Sequence, residues 1–189
     1  MNKLKDTEIE LTFPLKNPEE LEEQLNDIAE FQDKDVKQED TYYIPPHHNF
    51  IKQNPIREWL RLRETVKGTV LNYKFWHNAD DQKAVSCDEY ETKLTDAEAI
   101  KEILKRLDFI PIIIVDKKRS TWLYQGVEIA IDEVTGLGFY IELEAKGEFK
   151  NIAEAKEHLY KVLKELKADV GEQDYKGYPH LLLEKEGLL

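Results

Sequence analysis

The sequence predicts an α+β fold, a closed or nearly closed antiparallel β-barrel of about eight strands with flanking helices. Charged residues alternate with apolar ones in Thr7–Phe13 and again in Phe139–Ala145, so each segment has one acidic and one apolar face. Hairpin-like links join most of the predicted strands, and helical segments interrupt them twice. Such a sheet can close into a barrel with its charged faces inward and its apolar faces under the helices.

The N-terminal part predicts a strand, a helix and a second strand. The first strand runs to about Phe13. Asn17 is the predicted N-cap of the helix, and Pro18 occupies the first helical position, where proline is favoured. The segment 37–45 predicts the next strand, and 45–55 forms a long connection with prolines at both ends.

The middle of the chain predicts a hairpin and a further strand. Trp59–Glu64 and Val70–Trp76 are two strands joined by a glycine turn at 67–68. A turn at 78–81 leads into a strand over Ala84–Leu94. Glu89 and Glu91 lie on one face of that strand, either towards solvent or at the rim of the barrel.

The remaining elements follow the same logic. Thr95 is the predicted cap of a helix over 96–107, whose apolar residues form a single stripe. After it come a strand that begins with the apolar run Phe109–Val115, a strand over 127–134, the acidic strand at 139–145, a helix over Ile152–Leu166 capped by Asn151, and a short C-terminal helix. Because no Pro-, Gly- or Ser-rich linker interrupts the chain, we expect one domain over 1–189.

Composition restricts the partners of the protein. The 189 residues include 27 basic and 39 acidic ones, and the net charge of −12 argues against nucleic acid or an anionic membrane as a partner. Cys87 is the only cysteine, which excludes an intrachain disulfide and fits a reducing compartment. The sequence has no signal peptide and no apolar run near the roughly 20 residues that span a bilayer. We therefore expect a cytoplasmic protein that binds any polyanion locally.

Like charges recur two residues apart on several predicted strands. A half-exposed sheet explains this alternation for a single strand. Identical charges side by side repel, however, unless a counter-ion, a metal or a charged ligand relieves them. The carboxylates are Glu8, Glu10, Glu142 and Glu144, and the cations are Arg61, Arg63, Lys74, Lys117 and Arg119. Together they suggest one polar space that holds both a metal and an anion.

The residue types indicate the chemistry of that space. Oxygen-only ligands suit Mg²⁺ or Mn²⁺ better than zinc, and Mg²⁺ prefers few carboxylates together with phosphate oxygens. Guanidinium groups bind phosphate oxygens bidentately. The sequence contains no GxxxxGK[ST] phosphate loop and no credible Ser–His–Asp or Cys–His set. His47 and His48 could be metal ligands, but adjacent loop histidines are more often solvated.

Several motifs together carry a resemblance to a known family. They are EIEL at 8–11, QEDTYY at 38–43, HHNF at 47–50, LRLRE at 60–64, the lysine of NYKFW at Lys74, DKKR at 116–119 and IDEVTGLGFYIELE at 131–144. In this order they resemble the CYTH family of triphosphate-tunnel enzymes, and within it the class IV adenylyl cyclases. The resemblance covers most of the chain and implies a triphosphate tunnel inside the barrel.

The resemblance also implies roles for individual residues. Glu8, Glu10, Glu142 and Glu144 match the metal-binding carboxylates, with Asp132 as a fifth acid in or near that shell, and Mg²⁺ or Mn²⁺ is the implied cofactor. Arg61, Arg63, Lys74, Lys117 and Arg119 match the catalytic residues that bind the triphosphate. The HHNF loop is similar to a segment near the tunnel mouth that moves over bound nucleotide.

One position departs from the family pattern. The N-terminal signature is ExExK, and this chain has Thr12 where the lysine stands. We expect the fold to be unaffected and the rate, or the choice of substrate, to differ. Lys16 and Lys176 are the candidates to compensate for the missing cation.

Three functions remain open at this stage. The first is class IV adenylyl cyclase, in which two metal ions assist attack of the ribose 3′-hydroxyl on the α-phosphorus of ATP, giving cyclic AMP and pyrophosphate. The second is hydrolysis by a thiamine triphosphatase or inorganic triphosphatase, and the third is a non-catalytic sensor of a triphosphate. Trp76, Trp122 and the pair Tyr42–Tyr43 either stack a base or, as we favour, belong to the core. Oligomeric state, a homodimer included, stays open.

Overall fold

The computed structural model describes residues 7–78 and 84–189, so the turn predicted at 78–81 lies largely outside the described residues. The chain divides into two compact units. Unit 1 contains the described residues up to Val36 together with Lys117–Tyr175. Unit 2 contains the described residues of Lys37–Asp116 together with Lys176–Leu189.

The described residues form nine strands and four α-helices. The strands are β1 (Thr7–Glu8), β2 (Glu10–Pro14), β3 (Glu30–Ile44), β4 (Glu58–Thr65), β5 (Gly68–Asn78), β6 (Ala84–Leu94), β7 (Ile110–Tyr124), β8 (Val127–Val134) and β9 (Gly138–Ala145). The helices are α1 (Pro18–Ile28), α2 (Ala97–Arg106), α3 (Ile152–Leu166) and α4 (Tyr178–Lys185), and a 3₁₀ turn spans Phe50–Lys52. Strands β3 and β7 each contribute residues to both units.

Unit 1 is built on antiparallel pairing of β8 with β7 and β9, and of β9 with β2. One face of these strands is apolar and carries buried side chains such as Leu11, Ile129 and Leu143. They form a single core with buried residues of α1 and α3, among them Leu25 and Leu159. Because side chains alternate along a strand, the acidic and basic residues of the same strands lie on the opposite face.

Unit 2 repeats this arrangement with β4 paired to β3 and β5, and β5 paired to β6, all antiparallel. Its apolar face carries Tyr43 and Leu62, which pack with Leu104 of α2. The polar face of the same strands carries the arginines of β4. The predicted α+β class, with antiparallel strands, helices on their apolar faces and charges on the other, is therefore confirmed.

Three local predictions need correction. Asp96, not Thr95, caps α2, because its side chain accepts a hydrogen bond from the amide of Ala99 at 2.9 Å. Asn17 lies at the N-cap of α1, but its side chain accepts from the amide of Asp169 instead of capping the helix. Strand β3 begins at Glu30, well before the predicted residue 37. The prediction missed the first part of the strand because this polar and mostly exposed stretch lacks the apolar alternation of a half-buried strand.

The other helix predictions agree with the structure. Asn151 caps α3 by accepting from the amide of Glu154 at 2.9 Å. The C-terminal helix is α4, which buries Leu182 and Leu183. Among the described residues, no helix is both long and apolar enough to cross a membrane. One domain over 1–189 stays a prediction.

Candidate functional site

The polar face of unit 1 is ordered by the register of its strands. Arg119 on β7 lies opposite Asp132 on β8, and Glu144 on β9 has Glu128 on one side and Glu10 on the other. Antiparallel neighbours in direct register share a face of the sheet. A row of three carboxylates thus crosses β8, β9 and β2 next to a basic corner on β7.

Asp132 is the centre of the basic corner. It is fully buried, and its carboxylate accepts from the Arg119 guanidinium twice, at 2.7 Å from Nε and 2.6 Å from Nη2. Lys117 donates to the same carboxylate at 3.0 Å. Burial by itself would raise the pKa of Asp132, but the adjacent Arg119 and Lys117 outweigh it and hold that pKa well below its ordinary value.

Arg119 also connects the basic corner to the acidic row. Its Nη2 lies 3.0 Å from Oε1 of Glu142, which precedes Glu144 on the same face of β9. The Lys117, Arg119, Asp132 and Glu142 side chains are therefore parts of one charge network. Asp132 holds the two cations with both of its oxygens. Its place in or near a metal shell stays a prediction.

The acidic row contains a carboxylate with a raised pKa. Burial, followed by the charge of Glu8, raises the pKa of Glu144 to about 7, and Glu142 adds to the effect. Lys146 opposes it, with its Nζ 2.6 Å from Oε1 of Glu144. Like charges are thus crowded around Glu144, as a cation site requires before its ion binds.

Lys146, rather than Lys16 or Lys176, is the lysine seen in contact with the acidic row. Lys16 lies 3.0 Å from Asp169 and Lys176 lies 2.7 Å from Glu184, so both predicted substitutes pair with other carboxylates. The segment Glu142–Lys146 itself has the form ExExK, and its lysine contacts the acidic row. Compensation for Thr12 by Lys16 or Lys176 stays a prediction.

Unit 2 contains a second aspartate-centred cluster. Asp40 on β3 is buried and lies directly opposite Arg63 on β4. Its carboxylate accepts from Arg63 at 2.7 Å from Nε and 2.6 Å from Nη2, and Nη1 of Arg61 lies 3.6 Å from Oδ2. Arg61 and Arg63 stand two apart on β4 and share a face, as the sequence predicts.

Lys74 extends this cluster across β5. It lies opposite Glu89 of β6 in the sheet register, with Nζ 3.8 Å from its Oε1, and Asn72 also donates to Glu89. Glu91 is exposed. The sequence pattern does not distinguish Glu89 from Glu91, but their surroundings differ. Glu89 contacts Lys74 and Asn72, whereas Glu91 is exposed.

Two of the four aromatic candidates, Trp122 and Tyr43, belong to apolar cores, whereas Tyr42 lies opposite Arg61 on the polar face. Trp122 is 1% exposed within the core of unit 1 and donates from Nε1 to Asn26 at 2.9 Å. Tyr42 packs edge-on against Trp59, with ring centroids 5.5 Å apart, and Tyr43 belongs to the core of unit 2. Trp76 is half-buried and lies 5.8 Å from the Lys74 ammonium, so its ring borders the basic cluster.

The loop histidines have protein partners. His48 contacts the side chain of Gln53 at 2.8 Å and lies 3.4 Å from a carboxylate oxygen of Glu58. His47 is exposed. Within residues 7–78 and 84–189, no three His, Cys, Asp or Glu side chains are grouped closely enough to form a ready-made metal site.

Sequence reasoning missed three residues of these clusters, and each had a readable signal. Glu128 stands four residues before Asp132 and so shares its face of β8. Lys146 completes ExExK after β9. Asp40 has the same alternation as the arginines, but only the pairing of β3 with β4 shows that it lies opposite Arg63.

Comparison with known proteins identifies the family. The CYTH domain model matches residues 6–178. The chain belongs to the CYTH family. CYTH members are adenylyl cyclases or triphosphatases that depend on a divalent metal, and the chain has the tunnel fold of the family.

Individual CYTH relatives agree with this placement. "Putative adenylate cyclase MJ0240" of Methanocaldococcus jannaschii is 28% identical over 137 residues, which are 72% of this chain and 75% of that protein. The PH1819 protein of Pyrococcus horikoshii has a solved structure with a TM-score of 0.77 and 34% identity, covering 94% of this chain and 99% of its own. The "Putative adenylyl cyclase HpAC1" of Hippeastrum, described as having a dominant triphosphatase activity, shares the fold with a TM-score of 0.61 and 16% identity, covering 95% of this chain and 96% of its own.

Proposed function

We propose that this CYTH protein is a metal-dependent enzyme that converts ATP to cyclic AMP and pyrophosphate. The observation that carries the proposal is the set of strand-borne cations that carboxylates hold on the polar faces, with Arg63 and Arg119 each bound through two hydrogen bonds. The name of the M. jannaschii relative supports the cyclase assignment.

The basic residues would bind and orient the phosphates. Arg61, Arg63, Lys74, Lys117 and Arg119 offer guanidinium forks and ammonium donors that suit phosphate oxygens. They would also stabilise the charge that develops on the leaving pyrophosphate. Because the aspartates hold several of these groups before substrate binds, little reorganisation is needed when that charge appears.

The acidic row fits a divalent cation by its chemistry. All of its donors are carboxylate oxygens, which suit Mg²⁺ or Mn²⁺, and burial together with the nearby charge of Glu8 raises the pKa of Glu144. Glu8, Glu10, Glu142 and Glu144 would hold the ion. When bound, it would neutralise phosphate charge and make the attacking hydroxyl more acidic. Asp132, which Lys117 and Arg119 already engage, would position those cations instead.

Hydrolysis of a triphosphate is the second candidate. The burial of Trp122 and Tyr43 in apolar cores favours it, because these rings are not exposed to stack on adenine. Two of the four predicted aromatic candidates lie beside the basic cluster: Tyr42, which is opposite Arg61, and Trp76, which is near Lys74. The activity described for HpAC1 is of this class.

The test is product analysis by ³¹P NMR. The purified protein is given Mg²⁺ or Mn²⁺ with ATP, thiamine triphosphate or tripolyphosphate in separate tubes. We expect pyrophosphate and cyclic AMP from ATP. Orthophosphate from thiamine triphosphate or tripolyphosphate, with ATP unchanged, would assign the protein to the triphosphatases. Metal-dependent binding without any product would make it a sensor.

A further inference from the structure

The basic cluster of unit 2 has the same geometry as the basic corner of unit 1. In each, a buried aspartate lies directly across an antiparallel pair from an arginine, Asp40 from Arg63 and Asp132 from Arg119. Both arginines donate through Nε at 2.7 Å and Nη2 at 2.6 Å. In both, a second cation two residues earlier on the arginine's strand contacts the same carboxylate.

We infer that Asp40 is a positioning residue, which fixes the guanidinium groups of Arg61 and Arg63 in the orientation that binds phosphate. The inference rests on the proposed function. Arginine loses considerable rotational freedom when its head group is fixed, and here a carboxylate that is 1% exposed imposes that cost before any ligand arrives. The plane of the Arg63 fork is set by two hydrogen bonds rather than by one charge contact.

The sign of the effect separates positioning from simple electrostatics. Asp40 is an anion beside a cluster that is proposed to bind a polyanion. If it acted only through its charge, its removal would strengthen the binding of phosphate. If it positions the arginines, its removal weakens binding, because the guanidinium groups are no longer held in one orientation.

Calorimetric titration with an imido-bridged, non-hydrolysable tripolyphosphate in the presence of Mg²⁺ tests the inference. We expect Asp40→Asn to raise the dissociation constant by about tenfold or more. The matched control is Glu39→Gln, which removes an exposed carboxylate from the adjacent position of β3, on the other face, and should leave the affinity unchanged. Equal or tighter binding by Asp40→Asn would refute the positioning role.

Two further experiments test the positioning role in case Asp40→Asn weakens binding only because the protein no longer folds. Arg63→Lys keeps the charge and removes the fork, and it too should weaken binding. In an Arg63→Ala background, adding Asp40→Asn should have a smaller effect than it has alone, since one of the groups that it positions is already gone. Full additivity, or unchanged affinity in Arg63→Lys, would contradict the inference. If the wild-type protein fails to bind the probe, the proposed function itself fails, which is a separate outcome.

Discussion

The two aspartate-centred clusters share a geometry and differ in what surrounds them. In unit 1, Arg119 contacts Glu142 as well as Asp132, and the acidic row crosses β8, β9 and β2 on the same face. In unit 2, Asp40 faces both arginines of β4. The same aspartate–arginine pairing therefore lies on a largely acidic face in unit 1 and on a largely basic face in unit 2. We expect substitutions in the unit 1 cluster mainly to lower the free energy of unfolding. Substitutions in the unit 2 cluster should mainly weaken substrate binding.

The largest expected effect is on the stability of unit 1. Asp132→Asn removes the charge that pairs with Lys117, which is 3% exposed, and with Arg119, so one buried and one partly buried cation lose their common anion. Breaking a buried ion pair costs about 3–5 kcal/mol, and we expect a loss of that size in the free energy of unfolding, measured with urea. Glu133→Gln, which breaks the exposed pair with Lys118 at the next position, should cost about 1 kcal/mol or less. Similar losses in the two variants would contradict the assignment.

The next effect concerns turnover. Arg61→Ala should lower turnover at least about a hundredfold with the fold retained, because losing one preorganised donor to a developing charge costs about 2.7–4 kcal/mol. Arg119→Ala should lower turnover similarly and also destabilise the protein, since it removes two hydrogen bonds that the buried Asp132 accepts. Circular dichroism and initial rates check both. Arg106→Ala, an exposed arginine of α2, is the control, and near-wild-type turnover in both test variants would exclude a phosphate-binding role.

A pH effect of intermediate size belongs to the acidic row. The pKa of Glu144 in the folded protein, about 7, is above its ordinary value of 4.5. Its contribution to the stability of the metal-free protein is therefore full below about pH 4.5 and is lost as the pH rises towards 7. Glu144→Gln should flatten this loss, on the order of 2 kcal/mol between pH 5 and pH 8. Urea unfolding at both pH values measures it, with the exposed Glu148→Gln as control.

The smallest effect concerns Lys146, the cation that meets the acidic row. Lys146→Met removes a positive charge 2.6 Å from Glu144, so a divalent ion no longer competes with it. Because the side chain is 41% exposed, we expect only about 1 kcal/mol, or roughly fivefold tighter binding of Mn²⁺. Titration calorimetry without substrate measures the affinity, and Lys150→Met serves as control. Weaker Mn²⁺ binding would show that Lys146 supports the site rather than competing for it.

Sequence alone predicted much of this fold because period-two alternation is a local property. The faces of β4 and β9 follow from the spacing of Arg61 and Arg63 and of Glu142 and Glu144, and the apolar stripe of α2 follows from its period. The start of β3 did not follow, since its first half is exposed and polar. The prediction chose Thr95 instead of the adjacent Asp96 as the cap of α2. Threonine and aspartate both cap helices, and the backbone geometry decides which of the two does so.

The site was less predictable, because its contacts depend on strand register. The sequence did not predict that Asp132 accepts hydrogen bonds from Lys117 and Arg119, and its place in or near a metal shell stays a prediction. Asp40 lies 23 positions before Arg63, and nothing local connects the two residues. Which carboxylate lies beneath which cation is set by the pairing of two strands, and a one-residue slip would bring different side chains together.

The tryptophans give the molecule a built-in optical label for each unit. Trp122 lies in the core of unit 1 and Trp59 is buried in unit 2, while Trp76 is half-buried. A Trp76→Phe protein would therefore carry one buried fluorophore per unit. The loss of each emission signal during denaturation would then report the melting of one unit, and two coincident curves would mean that both units unfold as a single cooperative body.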